Sequence, residues 1–423
     1  MNAVITPAPL RGTVKAIPSK SCVHRLLICA CAALADRPSS LSCAVLSEDI
    51  LATVRCLAAL GAETEISGGR IAVRPPLNHG GKAVLDPGES GSTYRFFTPL
   101  ASALGCEAEF RLHGKLPQRP MEPLWNEMER HGVRISGKGT DHPCLSGQLT
   151  AGRYRLSGGI SSQFFTGLLL ALPLLDGSSR IETEGHLESA GYVSMTLEAL
   201  SRFSVKITRE GTDFIVPGRQ RFAAPEHLDA EGDWSNSAFW LCAAAARGKI
   251  SAAGLTFPSA QGDSAVLDFL RRFGAPADFR GQTASVSAAV LHGADIDVGG
   301  TPDLVPALAV AAAAARGTSR FINAGRLRLK ESDRIASVCG ALNALGGRAS
   351  ASGSVITVEG TGSLRGGTVD ACGDHRIVML AAAASVLCSE PVIIRGAEAV
   401  NKSYPTFFGD FSALGGAVRK EDA

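Results

Sequence analysis

Six apolar helical runs recur along the chain at a near-constant interval, and this periodicity limits the fold more than any other feature. The runs cover residues 25–34, 95–104, 164–172, 238–246, 304–315 and 376–385, and their starts are 70, 69, 74, 66 and 72 residues apart. Each follows a polar loop and leads through a short Gly-containing or charged turn into a β-like stretch. A second, amphipathic run follows at 50–60, 124–131, 193–203, 265–273, 335–345 and 406–414. Five of these six stop before a glycine (Gly61, Gly132, Gly274, Gly346, Gly415), the residue best suited to the left-handed C-terminal cap of a helix. The third, at 193–203, lacks it. The first runs are apolar on nearly every face and predict buried helices. The second carry charges such as Arg130, Arg271 and Arg272 and predict an outer layer. Six such α/β units in 423 residues suit two domains of three.

Only 6% of the residues are aromatic, against 45% apolar overall and 47 glycines, so the inner helices must pack closely through small side chains. Lys and Arg number 42 against 40 Asp and Glu, a net charge of +2, which argues against a nucleic-acid binder. The longest apolar run, 305–315, falls short of the roughly 18 residues of a membrane span. Residues 1–20 hold no apolar signal-peptide core. Eleven cysteines include no Cys-x-x-Cys pair, and Cys29 and Cys31 are spaced unlike zinc ligands. Most (Cys22, Cys29, Cys31, Cys242, Cys339, Cys388) lie in apolar stretches and read as small buried hydrophobes in a reducing cytoplasm.

The polar chemistry gathers where helices begin. Ser21, Asp233, Asp303 and Asp374 each suit an N-terminal cap. Capping does not account for the cations. Lys20, Arg25, Arg119, Lys330, Arg334, Arg376 and Lys402 all fall at or near helix starts, where they oppose the helix dipole. An anionic ligand removes the conflict, and loops of equivalent units can converge on one site for several phosphate or carboxylate groups. Ser19-Lys20-Ser21 lacks the glycines of a P-loop, and residues 88–91 lack a dinucleotide-binding fingerprint. His375 has no metal partner at ligand spacing, so no metal site is expected.

Taken together, PSKSCVHR (18–25), ESGSTYR (89–95), QRPM (118–121), GISSQF (159–164), Pro302-Asp303, KESDR (330–334), DHR (374–376) and Lys402 resemble, in order and spacing, the enolpyruvyl transferase family. They look most like its branch that acts on shikimate 3-phosphate. The resemblance covers almost the whole chain. It implies an α/β (α+β) fold of two similar domains, each of three βαβαββ-type units around buried helices, closing over a cleft. It places residues 1–17 and 230–423 in one domain and 18–229 in the other, with the chain returning through the acidic segment 226–233. It implies transfer of the enolpyruvyl group of phosphoenolpyruvate to the 5-hydroxyl of shikimate 3-phosphate, the sixth step of the shikimate pathway. No cofactor or metal is implied, nor any nucleic-acid or membrane partner, and the enzyme is expected to be a cytoplasmic monomer.

Carried over residue by residue, the resemblance assigns Lys20, Ser21, Arg25, Ser161, Ser162, Gln163, Ser189, Tyr192, Asp303 and Lys330 to shikimate 3-phosphate. It assigns Lys20, Gly91, Arg119, Gln163, Arg334, Arg376 and Lys402 to phosphoenolpyruvate. Asp303 is the expected base for the hydroxyl, and Glu331 or Lys20 the source of the proton for the methylene carbon, with Lys402 also in the catalytic set. The sequence departs from the family at Pro18, where Gly is usual, and at Glu89 and Arg326, where Asn is common. The family is the target of glyphosate; Gly91 is the small residue of sensitive forms, whereas Ser92 and Phe96 differ from a common pattern. Two other readings are a UDP-N-acetylglucosamine enolpyruvyl transferase and a non-catalytic anion-binding or RNA-end-binding relative. The first is disfavoured because Lys20 is followed by Ser21 rather than Asn, and 113–119 holds no Cys. The second is disfavoured by the small net charge and by the full set Lys20, Asp303, Glu331, Arg334 and Lys402.

Overall fold

The computed structural model describes residues 1–33, 37–77 and 80–422; Leu34, at the end of the first apolar run, and Ala423 lie outside the described residues. The described residues contain helices α1 (Lys20–Ala32), α2 (Glu48–Ala59), α3 (Gly91–Ala103), α4 (Glu122–Arg130), α5 (Ser162–Ala171) and α6 (Ala190–Arg202). They continue with α7 (Trp234–Arg247), α8 (Val266–Arg272), α9 (Val305–Ala314), α10 (Arg334–Ala344), α11 (His375–Ala384) and α12 (Phe407–Ala413). Odd-numbered helices are the apolar runs. Every residue of α11 and all of α9 except Ala314 are buried, whereas Arg130, Arg271 and Arg272 on the even-numbered helices are exposed. Cys22 and Cys339 are half-buried rather than buried, a correction to the sequence expectation.

Six four-stranded sheets accompany these helices. In one complete unit, strand Arg153–Ser157 runs parallel to Ser179–Glu184 across α5. After α6, the hairpin Thr208–Glu210 and Asp213–Val216 returns antiparallel to Ser179–Glu184. The order is βαβαββ. Units starting at Gly81–Gly88 and Asp295–Asp297 repeat it. The other three borrow strands from distant sequence. His227–Asp229 pairs parallel with Ser39–Ser42, and Leu10–Lys15 pairs parallel with Gly248–Ala253. Asn2–Thr6 lies antiparallel between Val392–Arg395 and Ala417–Glu421. The chain divides into two compact units, Met1–Ile17 with Glu231–Ala423, and Pro18–Ala230.

Several inner helices start earlier than the apolar pattern indicates, because their first turns are polar. Ser90, Ser161, Asp233 and Asp374 sit in extended N-cap positions, and their side chains accept backbone N–H groups of the first turn. Lys20, Ser21, Gly91, Ser162, Gln163 and Arg376 therefore lie on helices rather than in preceding loops. Ser21 and Asp303, expected as caps, are not. The N-cap of α1 is Ser19, and Asp303 sits in a short 3-10 turn with its carboxylate directed at Lys330 and Arg334. After α6, Ser204 adopts φ 62°, so a serine occupies the left-handed position that glycine fills after the other outer helices.

Small residues set the spacing of the inner helices. A Cβ on Gly167 of α5 would lie 2.5 Å from the Arg95 carbonyl oxygen and 2.9 Å from Pro99 Cγ on α3. Helix propensity alone favours alanine there by about 1 kcal/mol. The overlap costs about 1–3 kcal/mol. Gly167→Ala is therefore expected to lower the urea midpoint; a raised midpoint would show that α3 and α5 separate freely.

Candidate functional site

In the unit built from Glu231–Ala423 and Met1–Ile17, the helix-start residues form one charge cluster around a buried arginine. Arg334 begins α10 and is 1% exposed. Its guanidinium donates from Nη1 to Asp303 Oδ1 at 2.8 Å, from Nε to Asp374 Oδ2 at 2.8 Å, and from Nη2 to Glu331 Oε2 at 2.5 Å. Lys330 Nζ lies 3.0 Å from Asp303 Oδ1. Arg376 donates from Nη1 to the Asp303 carbonyl at 2.9 Å and from Nη2 to Ser235 Oγ at 3.2 Å, with Asp303 Oδ2 3.7 Å away. Lys402 Nζ donates to the Gly373 carbonyl at 2.9 Å, next to Asp374 in sequence. Thus Asp303, Lys330, Glu331, Arg334 and Arg376 come together, and Lys402 reaches the loop before α11.

Electrostatics follows from this packing. Burial alone would raise the Asp303 carboxyl, but Lys330, Arg376 and Arg334 outweigh it and hold the group well below the usual carboxylate range. Burial opposes ionisation of Asp374 too, and Arg334 reverses the balance and keeps it low. Burial pulls Lys330 down despite the opposing pull of Asp303, with Arg334 and Arg326 adding to the depression. Asp263 behaves oppositely: burial first, and then the Asp303 carboxylate, push it up to about 6.

The Pro18–Ala230 unit brings a second set together. Arg25, buried on α1, donates to the carbonyls of Ser21 (2.6 Å) and Tyr192 (3.0 Å), and to the hydroxyls of Thr166 (3.2 Å) and Thr196 (2.8 Å). Burial lowers its pKa to about 10, so it stays charged at neutral pH. Lys20 Nζ pairs with Asp49 Oδ2 at 2.7 Å. Ser161 caps α5, Ser162 is buried in its first turn, and Ser189 stands at the N-terminal end of α6 in a left-handed conformation (φ 53°) without a side-chain cap to the helix. Gln163 Oε1 accepts from Arg95 at 2.6 Å while its Nε2 donates to Ser92 Oγ at 2.8 Å, which fixes the amide orientation. Gly91 is close to Arg119: a Cβ there would lie 2.9 Å from the guanidinium carbon. Glu89 is exposed and Arg326 half-buried.

Asp49 and Asp263 were not singled out from sequence, and Arg95 stood only within the ESGSTYR stretch with no role given to it. Asp49, Arg95 and Asp263 meet their partners Lys20, Gln163 and Ser235 across 29, 68 and 28 positions of chain, which no local pattern encodes. Asp374 was read as a cap and as part of DHR, with no sign that it holds Arg334. Among the described residues, no group of three His, Cys, Asp or Glu side chains is placed to hold a metal ion, and no helix is long and apolar enough to cross a membrane.

Six βαβαββ units with cations clustered at helix starts are the make-up of an enolpyruvyl transferase fold. Two structures of EPSP synthase from Acinetobacter baumannii share this fold. Each has a TM-score of 0.80; they are 24% and 23% identical to this chain and cover 99–100% of it and 100% of their own chains. The family description EPSP synthase (3-phosphoshikimate 1-carboxyvinyltransferase) matches residues 4–411. The 3-phosphoshikimate 1-carboxyvinyltransferase of Clostridium kluyveri is 39% identical over 417 residues, 98% of this chain and 97% of its own. That of Clostridium novyi is 37% identical over 429 residues, 99% and 98%. The chain belongs to the EPSP synthase family.

Proposed function

We propose that this chain transfers the enolpyruvyl group of phosphoenolpyruvate to the 5-hydroxyl of shikimate 3-phosphate, releasing inorganic phosphate. The observation that carries this reading is the cluster of buried Asp303, Arg334 and Arg376 with half-buried Lys330 and Glu331 in a chain of this family. Asp303 accepts the hydroxyl proton as oxygen attacks C2, and Glu331 or Lys20 delivers a proton to C3. The tetrahedral adduct then loses phosphate, and a proton leaves the methyl carbon to restore the double bond. Arg119, Arg334, Arg376 and Lys402 neutralise the carboxylate and the departing phosphate of phosphoenolpyruvate. Lys20, Ser21, Arg25, Ser161, Ser162, Gln163, Ser189, Tyr192 and Lys330 hold shikimate 3-phosphate, with Lys20, Gly91 and Gln163 also at phosphoenolpyruvate.

The carboxylates that hold the cations support this reading in a specific way. Asp303 is a weak base while three cations face it. Anionic substrates that draw on the donors of Arg334 and Arg376 weaken that hold and raise its basicity as the complex forms. The working form in this reading is a monomer acting on two small molecules, in a cytoplasm where its eleven thiols stay reduced.

The test is phosphate release by purified protein given both substrates, with UDP-N-acetylglucosamine as a control acceptor. Release is expected only with shikimate 3-phosphate, and none with a folded protein would remove the reading. Lys20→Met should lower kcat/KM by about 100-fold or more, since it deletes one charge from both substrate sites and a candidate proton donor. Lys20 pairs with Asp49 at 2.7 Å and both are largely buried, so the variant should also lose some stability, and kcat/KM is to be measured at a temperature where it is fully folded.

A further inference from the structure

We infer that Asp263 is a positioning residue for the guanidinium of Arg376, acting through the hydroxyl of Ser235. The inference rests on the reading of Arg376 as an anion-binding residue given above. Three separate elements supply the parts. Ser235 is in the first turn of α7, Asp263 is in the 3-10 turn Gly262–Ala265, and Arg376 is in the first turn of α11. All three are buried.

A hydroxyl has one hydrogen to give. Ser235 Oγ accepts from Arg376 Nη2 at 3.2 Å, and its own hydrogen goes to Asp263 Oδ2. The chain therefore has one direction, Arg376 to Ser235 to Asp263, ending on an acceptor. Arg376 Nη1 is fixed by the Asp303 carbonyl at 2.9 Å. Two oxygens on different elements thus set the plane of the guanidinium. A planar fork discriminates between productive and unproductive poses of a carboxylate or phosphate, so its orientation governs affinity. The Asp303 carboxylate also serves Lys330 and Arg334, whereas Asp263 reaches Arg376 through the serine and polarises its hydroxyl.

Burial and the neighbouring Asp303 make an ionised Asp263 unfavourable for the fold. The pH dependence of this cost separates a functional from a structural role. A carboxyl whose folded pKa is raised to about 6 costs the fold stability as pH climbs from its unfolded value of about 3.9 to about 6, and the full cost remains above that, so Asn, which removes the charge, should not lower stability at pH 7.5.

In steady-state assays, Asp263→Asn and Ser235→Ala should each raise KM for phosphoenolpyruvate about 10-fold, the low end for a charge-assisted hydrogen bond acting at one remove. kcat and KM for shikimate 3-phosphate should stay within about 2-fold, and the double variant should match Ser235→Ala, because without the hydroxyl the side chain at 263 no longer reaches Arg376. Asp263→Asn should keep its thermal midpoint at pH 7.5. Stabilisation by inorganic phosphate reads the same site without turnover, and the variants should need about 10-fold more phosphate for an equal shift. Two results would overturn the inference. One is an unchanged phosphate response in both variants, which counts even if the wild type releases no phosphate from the two substrates. The other is a joint rise of both KM values with a lowered midpoint. An inactive wild type with the expected phosphate shifts would reject the substrates alone.

Discussion

Asp303→Asn is expected to lower kcat by about 10²- to 10⁴-fold, the range contributed by a positioned general base. The amide cannot take the hydroxyl proton, and its NH2 group adds a donor to a place already facing Lys330, Arg334 and Arg376. Stability falls as well, by about 3–5 kcal/mol, because a buried carboxylate is withdrawn from three cations. The two effects separate by pH. The folded carboxyl titrates below its unfolded value of about 3.9, so its contribution is present above that value and is lost as pH falls through the folded pKa. The gap in thermal midpoint between wild type and Asp303→Asn should be constant above about pH 5 and close below about pH 4. Asp303→Glu, which keeps the charge and moves it by one methylene, should recover stability before it recovers turnover. A near-normal kcat in the Asn variant would take the base role away from Asp303.

The inner helices were legible because apolar residues on all faces admit little but burial, and the outer ones because glycine marks where most of them stop. The exception has a physical reason: Ser204 takes φ 62° without a glycine, so its helix carries no stop signal. The borrowed strands were hidden. Ser39–Ser42 pairs with His227–Asp229, nearly two hundred positions away, and no local pattern encodes a hydrogen-bond ladder at that distance. In the site, cations stood out by opposing the helix dipole, yet the carboxylates that hold them did not. Asp374 shows why. One oxygen accepts the Arg376 backbone N–H as a cap, and the other accepts Arg334 Nε, so the capping reading was right and incomplete. The reading of the cations through an anionic ligand was incomplete in the same way: Asp49, Asp303, Glu331 and Asp374 also offset Lys20, Lys330 and Arg334 within the chain.

Arg334→Ala is expected to destabilise the protein by about 3–5 kcal/mol, the cost of removing one partner from a buried ionic group. Its guanidinium joins Asp303, Glu331 and Asp374, and Asp374 is wholly buried. Without it, Asp374 keeps the burial that opposes its charge and loses the cation that outweighs that burial. The Ser332 hydroxyl and the Arg376 backbone N–H still donate to it, but complete burial and the neighbouring Glu331 then dominate, and its carboxyl is expected to titrate above the unfolded value, which reverses its pH contribution. In the wild type, the low folded pKa makes ionised Asp374 stabilising above about pH 4. In the variant, protonation relieves the strain, so stability rises as pH falls. The difference in thermal midpoint should therefore shrink steadily between about pH 7 and pH 4. Reporting the difference removes the contribution of Asp263, whose raised pKa acts in both proteins. Arg334→Lys restores a charge but cannot reach three carboxylates with one planar fork, and should fall between the two. A midpoint difference independent of pH would mean that the loss lies in packing of the α10 start rather than in charge. A variant as stable as wild type would show that water replaces the guanidinium at Asp374, contrary to its complete burial.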